Sequence, residues 1–361
     1  MELEIKQNTR YKLKPRVQTT VKDNKLIFLS NGKRIDCEYW GESCFQCLKL
    51  WREGGTLADF ENHLEINYPG AWKIFKSVFF ELFADGFFHE MDIESELSDY
   101  EQNRWKRTID FLADFEDKDS NCLAKFERLR QAHVLLVGTG GLGSWVLYQL
   151  LCIGIGEVTL IDGDKVSSDN LNRSILFNDE DVGNFKVDRA KKMANKFSPS
   201  TKINTVKSYI NKADDLLKHL NQVDLVLSCA DQPYWYIREY VTEACIKGNV
   251  PHLIHNGGKV GPFAIPGKTA CPMCELNRLL DARPELRKQI EIQSTLPKGH
   301  SGGLSAAASM VAGAMAFEVF RYLTDYKKPE TINHIWEFNG MSNVNIKPVV
   351  KYDKCETCAT Y

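Results

Sequence analysis

The chain has 361 residues, 43% hydrophobic and 26% charged, with a formal net charge of −2. That length exceeds one compact core and predicts two domains, and the near-neutral charge removes any global electrostatic case for nucleic acid or an anionic membrane. No apolar run approaches the roughly 20 residues of a bilayer span, the start MELEIKQNTRYKLK is no secretory signal, and eleven cysteines, an odd number, favour a reducing cytoplasm over a disulfide framework.

In chain order, residues 15–38 read as three short strands, PRVQTTV, KLIFL and RIDCEY, joined by the turns KDN and SNGK. A helix is predicted from about Gly41 to Arg52, ended by the Gly54-Gly55 pair. Thr56 with Asp59 three residues on forms a capping-box pattern, and Leu57, Phe60 and Leu64 share a helical face. Trp72, Phe75, Phe79 and Phe83 recur at helical spacing in a third helix. Three strands followed by three helices predict an N-terminal α+β, winged-helix-like domain over 1–91. The run DIESELSDYE then carries five carboxylates and no base, as a solvated linker would. Residues 92–120 are assigned to that linker and to the first segment of the next domain. From 121 to 361 apolar strands at 133–137, 157–161, 203–207 and 223–228 alternate with helical stretches, which predicts a doubly wound, mainly parallel Rossmann-like sheet.

The stretch HVLLVGTGGLGSWV is a strand, a glycine turn and a helix start. Its Gly138, Gly140, Gly141 and Gly143 suit close backbone approach, with the helix N-terminus offering N–H groups to phosphate. Asp162 ends the next strand, 19 residues after Gly143, where a carboxylate accepts from ribose hydroxyls. These features mark a nucleotide site without choosing between NAD and ATP. Farther on, Asn170 and Arg173 follow the second strand, Lys186 opens a helix and Asp231 closes the fourth strand. The carboxyl ends of such strands converge on one crevice. Two cations suit phosphate oxygens and the extra carboxylate suits Mg²⁺, a set that a nicotinamide site does not need.

Two CxxC pairs, Cys271 with Cys274 and Cys355 with Cys358, supply the four corners of a closed, structural Zn²⁺ site. Cys44 and Cys47 fall inside a predicted helix and read as buried packing. Cys229 and Cys245 read as core residues, and His252, His255 and His300 as structural or surface ones. Residues 281–303 lack a clear period and predict a mobile flap. The segment SAAASMVAGAMAFEVFRYL reads as a closely packed internal helix.

Taken together, GxGGLG at 138–143, the D-x-D segment at 162–174, D-V-G-x-x-K at 181–186 and C-A-D at 229–231 resemble the E1-like adenylating family of ThiF/MoeB type. The resemblance implies ATP and Mg²⁺ as cofactors. It also implies Asp162 at the ribose, Asp164 in the nucleotide site, Asn170, Arg173 and Lys186 at phosphate, and Asp231 at the magnesium. Two positions depart from the pattern: Asp169 stands where the family has Ser, and Ser174 where it has Gln. The segment NRWKR resembles a family element whose second arginine, here Arg107, reaches the nucleotide of a neighbouring subunit, which implies a homodimer. The N-terminal domain resembles the peptide-recognition element of natural-product biosynthesis, and the pairing resembles the adenylating enzymes of microcin C and pantocin A biosynthesis. It implies a ribosomal precursor peptide as the carboxylate donor. Its leader would add a strand to the sheet edge, and glutamate side-chain activation is favoured over the C-terminal carboxylate. Other readings are an activator of a ubiquitin-like sulfur carrier, an NAD-dependent oxidoreductase, and a non-catalytic leader-binding scaffold.

Overall fold

The structure, a computed structural model, describes residues 8–30, 32–38, 41–91, 95–115, 121–295, 302–339 and 343–359. The chain divides into two compact units, Met1–Glu127 and Arg128–Tyr361.

In the first unit β1 is Tyr11–Leu13, β2 Gln18–Lys22, β3 Lys25–Ser30 and β4 Lys33–Cys37. Helices α1 (Glu42–Glu53), α2 (Leu57–Asn67) and α3 (Ala71–Ala84) follow, then β5 (Phe88–Glu90). Strands β2, β3 and β4 form an antiparallel meander, matching the three expected strands and three helices. Asp23 and Asn24 both take positive φ in the β2–β3 turn, which matches the twist of a two-residue hairpin. Thr56 and Asp59 close the expected capping box, with Thr56 Oγ1 accepting from the Asp59 amide at 3.1 Å. The core is aromatic: Trp51 meets Phe75 and Phe88 edge-on, and Phe79 packs on Phe88 at 4.5 Å. Cys44 and Cys47 are buried in it, as packing residues should be.

Two features of this unit depart from expectation. A separate two-stranded ladder pairs β1 with β5, pairing Tyr11 with Glu90 and Leu13 with Phe88. Three-residue strands are too short to show a period. The acidic segment is also not all linker, because Ser98 caps helix α4 (Asp99–Arg104) and exchanges hydrogen bonds with Glu101. Carboxylates belong in a first helical turn, where amide donors and the helix dipole favour them. Helices α5 (Lys106–Ala113) and α6 (Cys122–Gln131) complete this stretch.

The second unit runs β6 (His133–Val137), α7 (Gly141–Ile153), β7 (Glu157–Ile161), α8 (Lys186–Phe197), β8 (Lys202–Val206) and α9 (Ala213–Leu217). It continues with β9 (Leu225–Ser228), α10 (Tyr236–Lys247), β10 (His252–Asn256) and β11 (Lys259–Val260). Last come α11 (Cys274–Ala282), α12 (Glu285–Thr295), α13 (Ser305–Thr324), β12 (His334–Asn339) and β13 (Asn343–Pro348). All four expected strands are present. Strands β8-β7-β6-β9-β10 are parallel, and antiparallel β11, β12 and β13 extend that edge. The chain reverses its winding between β6 and β9, so a crevice opens beyond the carboxyl ends of those two strands. The expected flap is corrected in part, since α11 reaches Ala282 and α12 fills 285–295. Residues 296–301 of that segment, His300 among them, lie outside the described residues. Helix α13 packs along α7. It reaches the length and mean hydropathy of a membrane span, which the composition reading did not credit, and half of that window is buried inside the fold.

Candidate functional site: a nucleotide crevice and a four-cysteine knot

Strand β6 stops at Val137 because Gly138 turns the chain with φ of 86° while its amide still reaches the Ile161 carbonyl at 2.8 Å. Gly140 is the extended cap of α7, and Gly141 and Gly143 lie in its first turn. A Cβ on Gly143 would sit 1.9 Å from the Gly138 carbonyl oxygen, so the helix can approach the loop this closely only with glycine there. The first amides of α7 thus face the crevice without intrahelical acceptors.

Buried Thr139 stitches this loop to the end of β7. Its amide and hydroxyl both donate to Asp162 Oδ2, at 2.7 and 3.1 Å, and the Asp164 amide donates to Asp162 Oδ1 at 2.8 Å. The Asp162 carboxylate is therefore fixed in place with acceptor capacity left for a ligand hydroxyl. Lys186, the first residue of α8, is buried, with its Nζ 2.9 Å from Asp164 Oδ2. The Asp164 carbonyl accepts the Lys186 amide at 3.0 Å, and the Tyr209 hydroxyl donates to Asp164 Oδ1 at 3.0 Å. Asp162, Asp164 and Lys186 accordingly form one connected network.

Arg173 lies on the other flank, its aliphatic stem against Gly141 and Gly303. Its guanidinium donates to the Asp169 carbonyl, to Asn172 Oδ1 at 3.2 Å and to Asp169 Oδ2 at 3.5 Å. The Asp169 carboxyl stays below the usual range, chiefly through the Ser167 hydroxyl and then Arg173. Trp145 Nε1 donates to the Arg173 carbonyl at 3.0 Å and holds the backbone. Asn170 is buried, and its Oδ1 accepts from the Ser167 amide at 3.2 Å to cap a short turn. Asp231, past the end of β9, is exposed. Its charge opposes the effect of burial on His255, whose imidazole is nevertheless lowered to about 4. Burial pushes the Cys229 and Cys245 thiols well up, so neither is a poised thiolate. Arg107 is an exposed residue of α5 in the first unit.

The four expected metal-site cysteines meet. Cys271, Cys274, Cys355 and Cys358 are all buried with their sulfurs within 4.8 Å of one another. Three Sγ–Sγ distances are 3.5 to 3.7 Å, against about 3.8 Å for the edge of a tetrahedron with roughly 2.3 Å metal–sulfur bonds. Asn277 Nδ2 donates to Cys355 Sγ at 3.1 Å, a contact that favours thiolate. The donor set fits a closed zinc site.

Sequence reading missed Thr139, Tyr209, Trp145 and Asn277. Only Asn277 carried a signal, three residues beyond a CxxC ligand on one helical turn. A cavity of about 710 Å³ at the amino ends of the parallel strands lies away from this crevice. Its Arg128 and Arg321 already pair with Asp325, Glu318 and Glu330.

Residues 107–359 match the ThiF family model. The chain belongs to the ThiF family, the E1-like ATP-dependent adenylyltransferases. It is 29% identical to the molybdopterin-synthase adenylyltransferase of Escherichia coli over 269 residues, covering 73% of this chain and 99% of that protein. Among solved structures it resembles E. coli MccB with ATP, at a TM-score of 0.72 and 23% identity, covering 97% of this chain and 99% of that one. It also resembles PaaA, at a TM-score of 0.74 and 19% identity, covering 93% and 99%.

Proposed function

We propose that this ThiF-family chain uses ATP to adenylate a carboxylate of a ribosomally made precursor peptide. One observation carries the reading: the family match begins at residue 107, and a folded three-strand, three-helix unit precedes it. The E. coli molybdopterin-synthase enzyme is matched almost end to end by 73% of this chain. The MccB fold runs along 97% of it, and MccB has been solved with AMPCPP and MccA together.

In this reading the leader of the peptide adds a strand to the edge of β2–β3–β4 and lies against α3, with main-chain hydrogen bonds supplying affinity. The α7 N-terminus, Arg173 and Lys186 hold the phosphates, helped by Asn170 and Asp164, and Asp162 accepts from the ribose. Asp231 holds Mg²⁺, which would offset phosphate charge. Arg107 reaches the nucleotide of the second subunit in a homodimer, and the four-cysteine knot holds Zn²⁺ as a structural ion. A peptide carboxylate oxygen attacks the α-phosphorus as the bond to pyrophosphate breaks, giving acyl-AMP. The cations offset the negative charge that shifts onto the leaving pyrophosphate. An internal nucleophile of the peptide then displaces AMP. Glutamate side-chain activation followed by ring formation is the favoured outcome, with C-terminal activation as its nearest variant. Desolvation that keeps the Cys229 and Cys245 thiols protonated supports a route without a thioester. The site of action is the cytoplasm.

Exchange of labelled pyrophosphate into ATP, dependent on a peptide encoded nearby, tests the step. Mass analysis of that peptide separates an added nucleotidyl group from loss of water. A second reading, activation of a sulfur-carrier protein, draws on the identity to the molybdopterin-synthase enzyme. Exchange supported only by a folded carrier would establish it and refute the first.

A further inference from the structure

Strands β7 and β8 run parallel with Ile161 paired to Val206, and the Asp162 amide still reaches the Val206 carbonyl at 3.2 Å. Residues leaving β8 therefore emerge beside residues leaving β7, at the same end of the sheet as the glycine loop. Tyr209 is the aromatic residue this brings in. Its ring lies over Gly163: a Cβ there would stand 2.7 to 2.8 Å from three ring carbons. Its hydroxyl donates to Asp164, whose other oxygen accepts from Lys186.

An aromatic side chain 58% exposed gains little from packing. Here the ring lies over the backbone of Gly163, the residue next to the carboxylate read as the ribose partner, with more than half of the residue's surface open. A base attached to that ribose needs a flat apolar surface, and stacking on an aromatic ring is a common way to supply it. We propose that Tyr209 is a nucleoside-recognition residue, its ring forming a wall for the base and its hydroxyl fixing Asp164 for Lys186. The assignment rests on the nucleotide reading of the crevice and adds a residue to it. The glycine at 163 then has a reason, since any side chain there would displace the ring. Hydrogen bonding to Asp164 also raises the phenol above its ordinary range.

Calorimetric titration of the full chain with Mg²⁺–ATP and with Mg²⁺–triphosphate, which has no base to stack, tests this. Tyr209→Ala is expected to weaken ATP binding by about tenfold or more while triphosphate binding changes little, because stacking acts on any base and on nothing else. Tyr209→Phe is expected to keep the ATP affinity while exchange turnover falls several-fold through the loosened Asp164–Lys186 pair. A Tyr209→Ala protein that binds ATP as tightly as the unaltered chain, or that loses ATP and triphosphate equally, overturns the proposal, as does a Tyr209→Phe protein that loses the ATP affinity. Tyr209→Leu, which keeps bulk without a π-face, gives the same reading if the alanine variant fails to fold. Failure of the unaltered chain to bind ATP would instead refute the nucleotide reading itself.

Discussion

The glycine-loop crevice and the four-cysteine knot belong to one unit and are built on opposite plans. The knot has four buried sulfurs already at metal-binding separations, with Asn277 behind them. The crevice holds its cations on carboxylates of its own, Lys186 on Asp164 and Arg173 on Asp169. Under the proposed function the crevice accepts and releases a polyanion, and cations with a second partner are then not left uncompensated when the ligand departs. A structural metal site has no such cycle and gains from rigidity.

Metal removal is the sharpest way to test this contrast. Zinc analysis is expected to return one ion per chain, and Cys355→Ser or a strong chelator should lower the melting temperature by more than about 10 °C, because structural zinc carries folding free energy. A metal-free protein melting like the untreated one would erase the distinction. In the crevice the largest effect is expected from Arg173→Ala, a turnover loss of roughly 10²–10³, if the guanidinium acts like one transition-state donor. Near-normal AMP formation by that variant would remove Arg173 from the site, while its melting temperature should barely move.

Acid offers a subtler probe. His255 is held neutral by burial, its folded value near 4 against 6.5 unfolded. The unfolded chain binds the extra proton between those values. Stability is therefore complete above about pH 6.5 and is lost as pH falls toward 4, by up to about 3 kcal/mol. His255→Gln should flatten denaturation midpoints across that window, and an unchanged slope would count against it. Smallest is Asp169→Ser. An exposed pair is worth roughly 0.2–1 kcal/mol, so freeing Arg173 should lower the ATP dissociation constant by about two- to fivefold. An unchanged or higher constant would show that Asp169 does not compete with the nucleotide.

Much of both sites could be read from the chain because their spacing is local. The two CxxC pairs and GxGxxG each place their residues within one turn of backbone. Strands β6 to β9 were legible as apolar runs between helices. Strands β10 to β13 were not: β10 carries two histidines in five residues, and β13 is exposed along its length. Helix α12 escaped notice because ELRKQIEIQST has few apolar residues to mark a stripe. The acidic run read as linker because a capping box and a solvated loop use the same residue types.

The glycine loop, the order of β6 to β9 and the two CxxC pairs follow from the chain alone, since each is marked by neighbours within a few residues, whereas the meeting of the two pairs across 84 positions is left to the fold. Tertiary structure alone decided which groups hold those parts ready. Thr139 meets Asp162 across 23 positions and Tyr209 meets Asp164 across 45, because parallel register aligns the ends of β6, β7 and β8. Such a pairing depends on how strands align in space, and spacing along the chain carries no trace of it.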